Sequence, residues 1–223
     1  MTPDEAAEHA SCVRLMRHQL AERFGVDIEF QCDYEECAIM TFPFHSAERS
    51  ALLKSLITNP EPLIVDAFAG VGGDSMVLMA DFPDCELFAV QPADTKQHQA
   101  RFGRLTHNVE QFNDKFRAGK RSVITVASTF EEFLPYVERK IDLLYMSPPW
   151  SWNGGDTVEI VERIADVVNE METEVDLIVL MLKDDLCIRG KRAFESLHCV
   201  QSLPVVLKEK TCFYFHVFKR IEW

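Results

Sequence analysis

The sequence predicts an α/β fold on a mostly parallel sheet of seven strands, the last two of which form an antiparallel hairpin. Seven apolar runs support this, at residues 63–68, 86–91, 122–127, 141–146, 175–182, 200–207 and 211–219. Segments with helical spacing separate all but the last two runs, as expected for buried parallel strands joined by helices. Only Lys208, Glu209 and Lys210 join those last two, which is too short for a right-handed crossover.

A sheet of this plan is typical of the class I, Rossmann-like methyltransferases. The strands predict a domain at 59–223, preceded by a small N-terminal helical lobe at 1–58. Within the lobe, residues 4–23 have the apolar spacing of a helix, and residues 26–41 predict two short strands rich in Ile, Phe and Cys. Ser46 follows a turn and is expected to cap a second helix.

Composition limits the class of protein. The chain has 223 residues and is 47% hydrophobic, enough for a sizeable core. No apolar stretch reaches the roughly 18–20 residues of a membrane span, and the acidic start lacks the apolar segment of a signal peptide. We therefore expect a protein of the nucleus or cytoplasm, without membrane contact.

The cysteines predict a reducing compartment and no metal. Seven cysteines are scattered at positions 12, 32, 37, 85, 187, 199 and 212, without a CxxC pair. Cys32 and Cys37 are the nearest to a zinc-binding pair, but no second pair accompanies them in the sequence. We expect no metal site.

The net charge of −13 argues against a protein that holds long nucleic acid by its phosphates. One basic stretch stands out, with Lys96, Arg101, Arg104, Lys115, Arg117, Lys120 and Arg121. It could contact a few phosphates of a short RNA end, and it could equally be a solvated helix face.

A glycine-rich loop follows the first strand, and ligands of doubly wound sheets lie beyond the carboxyl ends of central strands. The loop contains Asp66, Ala67 and Phe68, and its glycines Gly70, Gly72 and Gly73 allow a tight turn and a close approach to a ligand. A carboxylate such as Asp66 suits the ammonium group of S-adenosylmethionine, which has no phosphate. The alternative is a structural turn in which Asp66 bonds local amides.

The next two strand ends lack the acidic residues that such a cofactor usually meets. Gln91 stands where a carboxylate normally holds the ribose hydroxyls, and Asp94 could substitute if the loop bends. Thr129 follows the third strand and can accept a hydrogen bond from the adenine amine.

A second motif, Ser147-Pro148-Pro149-Trp150, follows the fourth strand. The Ser147 hydroxyl and the Pro148 carbonyl could accept the two N–H bonds of a ring amine and aim its nitrogen at a methyl carbon. Trp150 offers a flat face for a cationic base. The alternative is a loop-breaking Pro-Pro with a core tryptophan.

These two motifs, residues 65–74 and 147–150, resemble those of the trimethylguanosine synthase family, the RNA cap guanosine-N2 methyltransferases. The resemblance implies that the Asp66 loop binds S-adenosylmethionine. It also implies that Ser147 and Pro148 orient the guanine N2, and that Trp150 stacks on 7-methylguanine. The substrate it implies is 7-methylguanosine-capped RNA, with Phe44 or Ser46 of the N-terminal lobe lining the pocket.

Two other functions remain open at this point. The missing carboxylates at Gln91 and Thr129 also suit a weakly active or inactive paralogue that binds a cap or a protein partner. The fold would equally serve a guanine-N2 or adenine-N6 methyltransferase of internal nucleic-acid sites, although the net charge and Trp150 count against it.

Overall fold

The seven predicted strands form one sheet. The computed structural model describes residues 1–117, 123–148, 157–171, 173–182, 197–207 and 210–220. Its strands are β1 (Leu63–Asp66), β2 (Glu86–Val90), β3 (Val123–Val126), β4 (Ile141–Met146), β5 (Val175–Leu182), β6 (Leu197–Leu207) and β7 (Lys210–Arg220). They lie in the order β3-β2-β1-β4-β5-β7-β6. The first five pair in parallel, and β7 pairs antiparallel with β5 and β6, which confirms the predicted sheet and hairpin.

Helices cover both faces of the sheet. They are α1 (Pro3–Phe24), α2 (Tyr34–Ile39), α3 (Ala47–Leu56), α4 (Gly73–Asp81), α5 (Lys96–Arg117), α6 (Phe130–Phe133) and α7 (Thr157–Glu170). One buried apolar cluster joins α1, α3, α4 and α5 to one face, and a second joins α6 and α7 to the other. Within the described ranges, no helix is both long and apolar enough to cross a membrane.

The prediction of two strands in residues 26–41 is wrong. Residues 26–33 have no regular secondary structure, and α2 follows them. A capping box begins this helix: Asp33 accepts from the Glu36 N–H at 2.9 Å, and the Glu36 carboxylate accepts from the Asp33 N–H at 2.8 Å. The Asn108 side chain bonds both the N–H and the carbonyl of Gln31, each at 2.7 Å. These backbone groups are therefore already occupied and cannot pair with a strand.

The sheet order reverses between β1 and β4. From β1 the chain passes to β2 on one side, whereas β4 lies on the other. Ligands of doubly wound sheets lie at such a switch point. The two loops that leave it are close together, since the Ala67 N–H donates to the Tyr145 carbonyl at 2.9 Å.

Candidate active site

An open cavity lies at the carboxyl ends of β1 to β4. It encloses about 1090 Å³, including the space at its mouth, and a nucleoside-sized ligand fits within that volume. The lining residues that follow these strands, in the loops and the first turns of the next helices, are Ala67, Phe68, Ala69, Gly70, Val71, Gly73, Asp74, Gln91, Pro92, Thr129, Phe130, Glu131, Ser147 and Pro148. Ser147 and Pro148 of the second motif and the glycine loop of the first thus face one space.

The glycines of the β1 loop have different structural roles. Gly70 lines the cavity with φ +56°, and a Cβ there would meet no atom within 4 Å. Gly72, with φ +92°, is not among the lining residues, and its Cβ would approach a Val109 methyl carbon to 2.9 Å. Only Gly70 leaves open space for a ligand, and Gly72 allows α5 to pack closely.

Asp66 is not among the residues that line the cavity, and its contact with a cofactor stays a prediction. Its side chain is fully buried, and its Oδ2 accepts from the Ser75 hydroxyl at 2.6 Å. Burial and the nearby charge of Asp74 raise the pKa of Asp66 to about 7, against the opposing effects of Ser75 and Arg49. The Asp66 side chain therefore links β1 to α4 through Ser75.

The carboxylate of this loop that does line the cavity is Asp74, in the first turn of α4. Its Oδ1 accepts from the Arg49 guanidinium at 2.5 Å. Arg49 is fully buried, donates to the Tyr145 hydroxyl at 2.6 Å and lies over the rings of Tyr145 and Phe215. Sequence reasoning missed this network because a single arginine in α3 gives no sign of burial.

The polar residues after β2 and β3 are largely engaged within the protein. The Gln91 oxygen accepts from the Gly70 N–H at 3.1 Å, so Gln91 holds the glycine loop in place. Thr129 lines the cavity, but its hydroxyl accepts from the Glu132 N–H at 3.3 Å to cap α6. Asp94 does not line the cavity. It is 70% exposed and pairs with His98, a residue that does line it.

Ser147 and Pro148 lie on the cavity wall. The Ser147 hydroxyl makes a long contact, 3.9 Å, to the sulfur of Met181. In that contact the hydroxyl is the donor, so its oxygen lone pairs can accept from a ligand amine. Trp150 lies outside the described residues.

Phe44 and Ser46 are not among the residues that line the cavity, and their contact with a substrate stays a prediction. Phe44 is 74% exposed. Ser46 is fully buried, donates to the Pro43 carbonyl at 2.6 Å and accepts from Arg23 at 2.7 Å. Both residues belong to the turn before α3, and Ser46 stabilises it.

The N-terminal lobe instead reaches the cavity through Glu36, Met40 and Thr41. Burial alone would raise the pKa of Glu36, but hydrogen bonds from Arg104, the Asp33 N–H and Arg101 lower it below its ordinary value. These two arginines of α5 fix α2 against the cavity wall. The Asp33-x-x-Glu36 capping pattern was the sequence signal for this segment.

Comparison with known proteins supports the fold. No family model and no curated sequence matches the chain. Similar solved structures include the human methyltransferase 10 domain containing protein, with a TM-score of 0.70, 16% identity and coverage of 97% of this chain and 98% of that one. Another is the N-terminal domain of human METTL16 in complex with SAH, with a TM-score of 0.66, 17% identity and coverage of 97% and 84%.

A third is the hMettl16 catalytic domain in complex with the MAT2A 3′UTR hairpin 1, with a TM-score of 0.66, 14% identity and coverage of 94% and 79%. At these identities the likeness concerns the fold. The strand order, the hairpin and these neighbours together show that the chain has the class I, Rossmann-like methyltransferase fold.

Proposed function

We propose that this chain transfers a methyl group from S-adenosylmethionine to the exocyclic N2 amine of 7-methylguanosine at an RNA 5′ cap. One observation carries the proposal: Ser147 and Pro148 line the same cavity as the glycine loop, at the switch point of the sheet. A donor and an acceptor held there would be neighbours, and that is the main requirement of a direct transfer.

The cavity walls suit the cofactor. Phe68, Pro92 and Phe130 offer apolar surface for the adenine. When bound, S-adenosylmethionine supplies a methyl carbon made electrophilic by its sulfonium. A structural neighbour, the human METTL16 domain, was solved with the demethylated product SAH.

The acceptor wall suits a ring amine. The Ser147 oxygen and the Pro148 carbonyl each accept a hydrogen bond from one N–H group of the amine, and these two bonds fix the direction of its nitrogen. No strong base is needed, because the sulfonium is a good electrophile and positioning lowers most of the barrier.

The charges of the protein favour a short RNA end over a long nucleic acid. Arg101 and Arg104 of the basic stretch form ion pairs with Glu36, and Lys115 bonds the Asp27 carbonyl. These side chains are therefore engaged within the protein. A cationic 7-methylguanine stacked on Trp150 would supply affinity that phosphate contacts do not.

Methyl transfer to three RNAs tests the proposal: one with a 7-methylguanosine cap, the same RNA uncapped, and an uncapped hairpin. We expect transfer to the capped RNA alone, and a loss of about 30-fold in cap-analogue affinity for Trp150→Ala, since a desolvated cation–π contact contributes about 2 kcal/mol. Trp223→Ala is the matched control. Equal transfer to capped and uncapped RNA would contradict the cap assignment.

Two alternatives have observations in their favour. The hMettl16 neighbour was solved with an RNA hairpin, which favours an internal RNA site, and transfer to the hairpin would establish it. Asp66 and Asp94 do not line the cavity, which favours a binding module with a weak cofactor site. Calorimetry that detects the cap analogue but no S-adenosylmethionine would establish the binding module.

A further inference from the structure

Three metal-ligating side chains meet between α1 and α2, outside the cavity. The His9 Nε2 and the sulfurs of Cys32 and Cys37 all lie within 4.8 Å of one another. Cys12, three residues further along α1, packs with Cys37 against the same apolar core. The cluster therefore consists of one imidazole and two thiols, with a third thiol on the same helix as the imidazole.

The separations within the cluster suit a tetrahedral ion. With Zn–S near 2.3 Å and Zn–N near 2.0–2.1 Å, two sulfurs around one zinc lie about 3.8 Å apart, and a sulfur and a nitrogen about 3.6 Å apart. The Cys32 and Cys37 sulfurs are 3.5 Å apart, and the Cys32 sulfur is 3.9 Å from the His9 Nε2. A shift of the Cys12 side chain toward these three atoms would supply the fourth ligand.

The local fold explains why these residues meet. His9 and Cys12 are three residues apart in α1, so they lie on the same face of that helix. Cys32 and Cys37 lie on either side of the capping box that begins α2. The expectation of no metal rested on the spacing of the cysteines along the sequence. It did not consider α1, where His9 and Cys12 form a second pair at helical spacing.

We propose that His9, Cys12, Cys32 and Cys37 bind one zinc ion as a structural site. Four protein ligands leave no open position for substrate, which is the arrangement of structural zinc. To bind through Nε2, His9 must give up its present contact with the Cys32 carbonyl at 2.8 Å. The proposal does not depend on the proposed methyl transfer.

The site would fasten the N-terminal lobe to the cavity wall. Cys37 is next to Glu36 in α2, and Glu36, Met40 and Thr41 line the cavity. A zinc ion that joins α1 to this segment would therefore hold one wall of the cavity in place. Loss of the metal should loosen the wall without touching Ser147 or the glycine loop.

Metal analysis of the full chain tests the site. Protein produced with added zinc should contain about one zinc per chain, and cobalt added to the metal-free protein should give the intense visible bands of tetrahedral thiolate coordination. Cys37→Ser and Cys12→Ser should weaken cobalt binding by at least about tenfold. Cys85→Ala, which removes a free cysteine outside the cluster, should bind cobalt like the parent.

A variant that fails to fold leaves the test intact, because the cobalt spectrum of the parent protein is a separate readout. A parent protein with neither bound zinc nor a tetrahedral cobalt spectrum would overturn the proposal. A disulfide between Cys32 and Cys37, found by mass spectrometry in protein purified without reductant and with zinc present, would also overturn it.

Discussion

The two walls of the cavity differ in how their polar groups are engaged. On the glycine-loop wall, Asp74 binds Arg49, Gln91 binds the Gly70 N–H, and Thr129 caps α6. On the acceptor wall, the Ser147 hydroxyl makes a long contact to sulfur, in which its lone pairs take no part. We therefore expect substitutions on the first wall to act mainly on stability, and Ser147→Ala to act mainly on turnover.

The largest expected effect is on the buried ion pair of the first wall. Arg49→Met keeps most of the apolar stem but leaves the buried Asp74 without its cation, which typically costs 3–5 kcal/mol. Urea denaturation measures the free energy of unfolding. The control, Arg17→Met, removes an exposed pair with Asp27 and should cost about 0–1 kcal/mol. Similar losses in both variants would contradict the structural role of Arg49.

A second prediction concerns pH and the buried Asp66. The pKa of Asp66 is raised to about 7 in the folded chain, from about 3.9 when unfolded. The folded state therefore keeps a proton that the unfolded state loses, and the stability that Asp66 contributes falls as pH rises from about 4 to about 7.

Asp66→Asn cannot ionise and so lacks this dependence. The free energy of unfolding of the parent, minus that of Asp66→Asn, should fall with pH by up to about 1.4 kcal/mol per unit. Denaturation of both proteins from pH 5 to pH 8 measures it. A difference that stays constant with pH would show that Asp66 is already ionised in the folded chain.

A smaller effect is expected from alanine at Gly70 or Gly103, and comparing the two variants separates backbone strain from crowding. A Cβ would meet no atom within 4 Å at either Gly70 or Gly103, but Gly70 has φ +56°. Gly70→Ala should therefore destabilise by about 1–2 kcal/mol. Gly103→Ala lies within α5 and should stabilise by about 0.5–1 kcal/mol. Thermal denaturation compares them, and a shared sign would contradict the assignment.

The sheet could be predicted because buried strands and their helices differ in period along the whole chain. Residues 26–41 could not, because the Asp33–Glu36 capping box and the Asn108 bonds to Gln31 outweigh their strand-like composition. The capping box is a local signal, whereas the Asn108 bonds come from a residue 77 positions away and override local strand propensity.

The site was only partly predictable for the same reason. Ser147, Pro148 and most of the glycine loop follow strands directly, so the topology places them. Glu36 and Arg49 reach the site from the N-terminal lobe through tertiary packing, which no pattern near the motifs shows. The buried Asp66 likewise receives its hydrogen bond from Ser75, nine residues further along in α4.

The smallest expected effect on stability is at Ser147. Ser147→Ala breaks one long contact to sulfur, so the free energy of unfolding should change by less than about 0.5 kcal/mol.

Ser147→Ala also tests most directly whether the two cavity walls have different roles. Its free energy of unfolding and its single-turnover methyl transfer to 7-methylguanosine-capped RNA are measured on one preparation. We predict methyl transfer at least about tenfold slower than in the parent protein, because a hydrogen bond that orients the amine contributes about 1.4 kcal/mol or more. The free energy of unfolding should be unchanged. Transfer at the parent rate would contradict this prediction.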